Sequence, residues 1–245
     1  FYFSNLRCYR DGYDADVDRP GTNPLRAWTG YEQIDMQPGT PPRIITVCEA
    51  ESLARLREDI ALLRPKVDVL AVSMHYGVHF VPAYIAMYQK EASYAAIDAG
   101  ADIVIGHHAH ILKGVEVYKG KAIFYGLGNF AMEHHLRPPG TRKEMSKDFR
   151  NRNKHYGIKI EPGWEKYPFL PEARNTMLVK AHIEDGKIAK VTYIPTLIDP
   201  SPRPEYIKRS DPRAQQVSDY IESISRSQEL NVNFAWEGDE VVVLP

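Results

Sequence analysis

Five of the nine histidines fall within one short stretch of the chain, directly after two apolar runs. His75 follows the first run, and His107, His108 and His110 follow the second. Neutral imidazoles bind divalent Zn, Fe, Mn or Ni, so several imidazoles in one place suit a metal ion. A lone histidine at a strand end is most often an ordinary loop residue. Three histidines in four residues, with another at the tip of the preceding strand, instead favour a metal site.

Other polar residues near these histidines extend the candidate site. His79 lies four residues after His75 and is predicted to line the substrate side or to be exposed. Asn129 is either a hydrogen-bond donor to a developing oxyanion or an ordinary turn residue. His134 and His135 follow soon after and lie either at the rim of the site or on the surface.

A predicted strand–helix–strand unit would position these histidines. The apolar run at 67–74 indicates a strand buried on both faces, the pattern at 82–99 a helix, and the run at 102–105 a second strand. Such a connection joins parallel strands, whose carboxyl ends are neighbours about 4.8 Å apart. Ligands of α/β sheets bind at those ends. The sequence therefore predicts an α/β fold with the histidines gathered at one sheet edge.

The regions before and after the histidines are predicted to have different structures. Residues 9–42 are rich in turn formers, and we expect an irregular segment before a strand at 43–47 and a short helix. After the histidines, Lys119-Gly120 and Asp185-Gly186 predict two hairpins, so the second half is expected to be antiparallel. A segment at 131–175 reads as an insertion or lid. The remaining expected elements are a helix capped by Asp211 and a last edge strand at 241–244.

Composition excludes several classes of protein. The chain has 245 residues, with 31 basic and 32 acidic side chains, so it lacks the basic excess of a nucleic-acid binder. No apolar run approaches the roughly 20 residues that span a bilayer. Cys8 and Cys48 are too few for a disulfide scaffold and are expected to be free thiols. These features predict a cytoplasmic protein without a membrane span.

The motifs resemble one family in order along the chain. Residues 68–77 (DVLAVSMHYG), 96–110 (AIDAGADIVIGHHAH), 114–121 (GVEVYKGK) and 124–130 (FYGLGNF) are similar to the strand, helix and hairpin motifs of the CapA type. This is the bacterial capsule or poly-γ-glutamate biosynthesis family, a branch of the calcineurin-like metallophosphatase superfamily. The likeness is most specific over residues 68–133.

The resemblance implies a four-layer α/β/β/α sandwich, of which this chain supplies the C-terminal part as one domain, residues 1–245, incomplete at its N-terminus. It also implies two divalent metal ions, Mn, Zn or Fe, at the strand ends. Carried over by motif, His75, His108 and His110 would be ligands. His107 would then face the substrate or support a ligand.

One departure from the family pattern affects every functional expectation. The superfamily has further Asp, Asn and His ligands upstream, and none of those motifs precedes His75. Three histidines cannot alone hold two metals and a bridging hydroxide. The missing ligands are expected on an N-terminal fragment or second chain, or in a segment upstream of this sequence. The alternative is an inactive chain.

Three functions are consistent with these observations. The first is a metal-dependent hydrolase that uses a two-metal-activated hydroxide on an amide or ester bond of a small molecule or γ-glutamyl polymer. In it, His107 or His110 would protonate the leaving group. The second is a phosphoesterase, and the third is a non-catalytic accessory protein of capsule polymer synthesis or export. A surplus of five positive charges at 137–154 would bind an anionic substrate, contact the missing half, or form a solvated loop.

Overall fold

The computed structural model describes residues 4–6, 23–132 and 154–245. Helices and strands are mixed along the chain, which confirms the predicted α/β class. The chain divides into two compact units, residues 1–72 with 85–104, and residues 73–84 with 105–245. The four-layer sandwich and the assignment of residues 1–245 to one incomplete domain are not tested by these elements and stay predictions.

The first unit combines a small antiparallel sheet with two helices. Its strands pair in the order β1-β2-β3, and α2 packs against α1 and β3. Strand β2 corrects the expectation of an irregular segment at 9–42, because Trp28 and Tyr31 are strand formers that pair with β3. The elements are β1 (Ser4–Leu6), β2 (Ala27–Glu32), β3 (Arg43–Cys48), α1 (Ala50–Leu63), a 3-10 turn (Arg64–Lys66) and α2 (Met87–Asp98).

Strand β4 (Ala71–Tyr76) begins four residues later than the apolar run predicts. The guanidinium of Arg64 binds the backbone carbonyls of Val67 and Asp68 at 2.6 and 2.7 Å, so these residues are held outside the ladder. The expected burial on both faces is also wrong, because exposed and buried residues alternate along the strand. His75 is on the exposed side.

Helix α2 begins five residues later than predicted. Ala83 has a positive φ of 59°, which a helix cannot contain, and the backbone N–H of Tyr84 bonds to the carbonyl of Pro82. The side chain of Gln89 then accepts from the backbone N–H of Ala86 at 2.9 Å and caps the first turn. Gly100 follows the helix with φ +118°, as its predicted role as a stop requires.

The second unit is antiparallel where its pairings are described, as expected. Its four-stranded sheet has the order β4-β5-β7-β6, and its five-stranded sheet runs β10-β9-β12-β11 with β8 also on β9. Strand β12 therefore lies between two partners, which corrects the expectation of an edge strand. The elements are β5 (Ile103–His108), β6 (Val115–Tyr118), β7 (Lys121–Phe124), a 3-10 turn (Pro171–Arg174), β8 (Asn175–Glu184), β9 (Lys187–Ile198), β10 (Pro204–Tyr206), α3 (Pro212–Arg226), β11 (Asn233–Glu237) and β12 (Glu240–Leu244).

Local turn chemistry accounts for both hairpins and for α3. Lys119-Gly120 and Asp185-Gly186 have positive φ at both residues, which is the twist that a two-residue hairpin needs. Asp211 accepts from the backbone N–H of Arg213 at 2.9 Å and caps α3, as predicted.

Several predicted features lie outside the described residues. These are Cys8, His134, His135 and most of the basic stretch, together with residues 133–153 of the expected insertion. The later part of that insertion contributes Ile158, Tyr167 and Phe169 to a buried core cluster. Cys48 is a free thiol, and burial together with Glu91 raises its pKa to about 12. In the described ranges, no helix has the length and apolar character needed to cross a bilayer.

Candidate metal and hydrolase site

Four histidine rings meet at the ends of β4 and β5. His75 Nε2 lies 2.9 Å from His108 Nδ1. The ring of His79 stacks on that of His108 with centroids 3.9 Å apart, and lies 5.5 Å from the ring of His110. We call His75, His79, His108 and His110 the histidine cluster. The prediction that histidines from two strand tips come together is therefore confirmed, and His79 joins them.

The backbone around the cluster is unusual. His108 and His110 have φ of 88° and 56°, and Phe80 and Ala83 in the segment after β4 have φ of 55° and 59°. Residues with a Cβ rarely adopt these values, and each costs about 1–3 kcal/mol that the surrounding structure must offset. Such conformations concentrate at functional sites. Here they turn the chain sharply at His108, the last residue of β5, and at His110 just after it.

Burial lowers the pKa of three histidines at the site. Burial, followed by His79, His75 and His110, lowers the pKa of His108 to about 3. Partial burial also lowers the pKa of His75 and of His107, and the charges of His107 and His110 lower that of His75 further. These three rings are therefore neutral at pH 7, which is the form that binds a metal ion or accepts a proton.

His110 is held from beneath by buried polar groups. Its Nδ1 lies 2.7 Å from Asn129 Oδ1, and Asn129 Nδ2 lies 2.7 Å from the Tyr167 hydroxyl. That hydroxyl is 2.7 Å from the backbone carbonyl of Ala173. Asn129, Tyr167 and Ala173 are all buried, and burial raises the pKa of Tyr167 to about 12. The phenol is therefore protonated at neutral pH.

Aromatic side chains form the apolar wall of the site. The ring of His110 lies 5.7 Å from that of Phe80 and 5.8 Å from that of Phe169. Phe80 and Phe169 belong to the same buried cluster as Tyr167. Because this wall excludes water on one side, it also explains why burial is the leading cause of the lowered pKa values nearby.

A buried lysine supports the segment that carries His79. Lys113 is fully buried, and its ammonium donates to the backbone carbonyls of Val81 and Tyr84, the latter at 2.9 Å. Burial lowers the pKa of Lys113 to about 8. The ammonium thus ties the 77–84 segment to the chain just beyond His110.

The cluster has the donor chemistry of a metal site, but only part of the required ligand set. Ligands about 2.1 Å from an ion in adjacent octahedral positions lie about 3 Å apart, so the 2.9 Å separation of the two ring nitrogens suits either a shared proton or a common cation. Yet, among the residues described, no group of three or more His, Cys, Asp or Glu is placed to hold a metal ion. The residues present therefore fit part of one ion's shell and do not by themselves fit two ions.

The individual candidates occupy different positions. His107 borders the cluster, close enough to His75 for its charge to affect that ring. Asn129 is 5% exposed, and its amide is used by His110 and Tyr167, so its position suits support of His110 better than donation to a substrate oxyanion. His182 lies elsewhere, in β8 beside Thr192. No sequence pattern indicates Tyr167, and the only signal for Lys113 is that it interrupts an apolar run.

Comparison with known proteins gives a consistent match. The family described as "Bacterial capsule synthesis protein PGA_cap" matches residues 9–134. The PGA biosynthesis protein CapA of Bacillus subtilis is 35% identical over 95 residues, which are 34% of this chain and 25% of that protein. The capsule biosynthesis protein CapA of Bacillus anthracis is 37% identical over 87 residues, 30% of this chain and 21% of that protein.

A further relative carries a different name. A probable polyglutamine synthesis accessory protein of Mycobacterium tuberculosis is 38% identical over 66 residues, 25% of this chain and 16% of that protein. The chain thus spans a quarter or less of the length of these relatives. The family profile covers half of the chain, including β4, β5, the histidine cluster and Asn129, and on that match the chain belongs to the bacterial capsule synthesis protein family PGA_cap.

Proposed function

We propose that this chain supplies the histidine side of a metal-dependent hydrolase site in a protein of bacterial capsule polymer synthesis. The observation that carries the proposal is the histidine cluster itself, in which rings from two strand ends meet, His75 and His108 have lowered pKa values, and His108 and His110 have strained backbone. The family match and the names of the relatives support the link to capsule polymers.

The proposed substrate is an amide or ester bond of a small molecule or of a γ-glutamyl polymer. In this proposal His75, His108 and His110 hold metal, and further ligands come from an N-terminal fragment or second chain. Two divalent ions, when bound, would polarise the substrate and supply a hydroxide near neutral pH. A centre of this kind needs carboxylates, which the cluster itself does not provide.

The residues of this chain would divide the remaining work. The ring of His110, fixed by Asn129, keeps one nitrogen directed away from the buried polar groups. His107, which borders the cluster with a lowered pKa, is neutral at pH 7 and suited to accept or pass a proton at the substrate. The wall of Phe80 and Phe169 excludes water from one side of the site.

A non-catalytic accessory role is the second candidate. It is favoured by the incomplete ligand set of the described residues and by the name of the mycobacterial relative. In that case the histidines would stabilise the fold or bind a partner protein. A phosphoesterase shares the metal chemistry of the main proposal and differs from it only in substrate.

Metal binding by the purified protein tests the proposal first. We expect titration calorimetry with Mn²⁺ or Zn²⁺ to show binding that is lost in His75→Ala and His108→Ala. A matched control is His182→Ala, whose ring contacts Thr192 in β8. Equal binding by all three variants and the parent would contradict a metal site at the cluster.

A substrate screen then separates the candidates. The protein, with its N-terminal partner where one co-purifies, is assayed with γ-glutamyl amides, carboxylic esters and phosphate esters. Hydrolysis of amides or esters that requires His75 supports the proposal. Turnover of phosphate esters alone selects the phosphoesterase. Full support of capsule synthesis by His75→Ala, without turnover of any substrate, selects the accessory role.

A further inference from the structure

The buried polar chain beneath His110 has a single consistent direction. It starts at the backbone carbonyl of Ala173, which can only accept a hydrogen bond. The Tyr167 hydroxyl, 2.7 Å away, must therefore donate its only hydrogen to that carbonyl. Its oxygen is left to accept, and the group that faces it at 2.7 Å is the Asn129 amide.

That direction fixes the orientation of the amide. Because the Tyr167 oxygen accepts, the Asn129 group facing it is the NH₂, and Asn129 Oδ1 faces His110 Nδ1 at 2.7 Å. A carbonyl oxygen cannot donate, so His110 Nδ1 must carry the hydrogen. With the amide turned around, Oδ1 would need the hydroxyl hydrogen that Ala173 already receives.

We propose that Tyr167, acting through Asn129, is a positioning residue that holds His110 in the tautomer with hydrogen on Nδ1. In that tautomer the lone pair of the ring is on the other nitrogen, Nε2. Which imidazole nitrogen is protonated depends on the bond that its partner nitrogen makes. A hydrogen-bond acceptor behind a ligand histidine also fixes the ring's orientation and raises its basicity.

Burial makes this control effective. Tyr167 is 1% exposed and Ala173 is fully buried, so water does not compete for these groups. The ring centroids of Tyr167 and Phe169 lie 4.7 Å apart. The backbone N–H of Ala173 donates to the carbonyl of Leu170 and closes the 3-10 turn. The carbonyl that sets the direction is therefore fixed by the fold.

The role of His110 Nε2 rests on the proposed function, whereas the tautomer itself does not. It can be read from long-range ¹H–¹⁵N correlation spectra of the ¹⁵N-labelled chain at pH 8, with His110 assigned by His110→Gln. We expect a protonated Nδ1 and an unprotonated Nε2 in the parent. A hydrogen on His110 Nε2 in the parent overturns the inference.

Tyr167→Phe tests the origin of this preference. Removal of the hydroxyl leaves Asn129 Nδ2 with only a long contact to the backbone carbonyl of His110, at 3.5 Å, to orient the amide. We therefore expect the two nitrogen shifts of His110 to move toward the average of both tautomers. The matched control is Tyr193→Phe, which removes another buried hydroxyl, bonded to Ser218 at 3.1 Å. An unchanged His110 tautomer in Tyr167→Phe overturns the inference.

If Tyr167→Phe does not fold, two substitutions of Asn129 test the inference instead. Asn129→Asp retains an acceptor for His110 Nδ1 and should preserve its hydrogen, whereas Asn129→Leu removes the acceptor and should not. The same tautomer in both variants overturns the inference. Metal titration adds an independent reading, since loss of such a supporting group weakens affinity by about 10- to 100-fold. If no metal binds while the tautomer is as expected, the proposed function fails and this inference stands.

Discussion

Two polar groupings in the second unit contain the same kinds of residue but are built differently. One is the histidine cluster. The other, which we call the Glu240 cluster, joins Lys180, His182, Thr192 and Glu240 across β8, β9 and β12. In the Glu240 cluster the carboxylate is paired with Lys180, accepts from Thr192 at 2.6 Å and lies 3.6 Å from His182. In the histidine cluster, His75 and His108, whose pKa values are both lowered, face each other.

Comparison of the two clusters shows that polar side chains lying close together do not by themselves indicate a functional site. The Glu240 cluster lies on paired strands, with one register shift after His182, and its opposite charges satisfy one another, as on many protein surfaces. The histidine cluster brings together His75 and His108, whose pKa values are lowered, and its backbone has positive φ at His108 and His110, which costs stability. Strained backbone together with perturbed pKa values is the pattern expected of a functional site.

Removal of a ring from each cluster should give the largest contrast. His108→Ala removes the ring that contacts both His75 and His79. We expect the rate of hydrolysis to fall by more than about 100-fold, because loss of a residue that only supports a ligand costs about 10- to 100-fold. His182→Ala should leave turnover near that of the parent. Initial rates with the substrate found in the screen measure both, and equal rates in the two variants would remove the distinction between the clusters.

The next effect concerns the strand beneath the histidine cluster. A Cβ on Gly106 would lie 2.4 Å from the backbone oxygen of Tyr125, so Gly106→Ala must push β5 away from β7. We expect a loss of about 3 kcal/mol in the free energy of unfolding, at the upper end of overpacking costs. Urea denaturation measures it.

Gly120→Ala is the matched control for that substitution. It meets no atom within 4 Å and has φ +76°, so only the strain of a left-handed residue remains. That strain is about 1–2 kcal/mol. If Gly106→Ala has the same free energy of unfolding as Gly120→Ala, the backbones of β5 and β7 can move apart at little cost. The strands beneath the histidine cluster would then not be rigid.

Sequence reasoning succeeded where the cause is local. Asp185-Gly186 and Lys119-Gly120 determine their hairpins through two residues each, and Asp211 caps α3 directly. The histidines were found because strand ends converge in α/β sheets. The predicted start of β4 was wrong because the observed start depends on residues that are distant in sequence. Asp102 bonds to both Arg64 and the backbone of Leu70, 38 and 32 residues away.

The same reason explains what the sequence did not reveal about the site. Tyr167 reaches Asn129 across 38 residues, and nothing in its surroundings distinguishes it from an ordinary core aromatic. Lys113 bonds to carbonyls 32 and 29 residues earlier, which its neighbours in sequence do not indicate. Supporting residues of this kind are defined by tertiary contacts, whereas the histidines they support are recognisable by spacing.

The buried lysine beside the histidine cluster should make stability rise at alkaline pH. Because burial lowers the pKa of folded Lys113 to about 8, the unfolded chain binds more protons between pH 8 and the ordinary lysine pKa of 10.5. Folding is therefore favoured as pH rises through that window. The free energy of unfolding of the parent minus that of Lys113→Met should increase by at most about 1.4 kcal/mol per pH unit.

Urea denaturation of both proteins between pH 7.5 and 10 gives this difference. Lys180→Met, which removes only the lysine of the Glu240 cluster, serves as a comparison and should cost about 0.2–1 kcal/mol as an exposed pair does. A difference for Lys113→Met that falls with pH would contradict the lowered pKa of Lys113 in the folded protein.

The smallest effect is expected in the Glu240 cluster, at acid pH. The hydrogen bond from Lys180, followed by that from Thr192, lowers the pKa of Glu240 below its ordinary value of 4.5. Its contribution is therefore present above pH 4.5 and is lost as pH falls through the lower, folded value. Because the side chain of Glu240 is partly exposed, we expect Glu240→Gln to cost only about 0.5 kcal/mol at pH 7 and less at pH 3. Thermal denaturation at both pH values measures this loss, and an equal loss at pH 3 would show that packing, and not charge, holds these strands together.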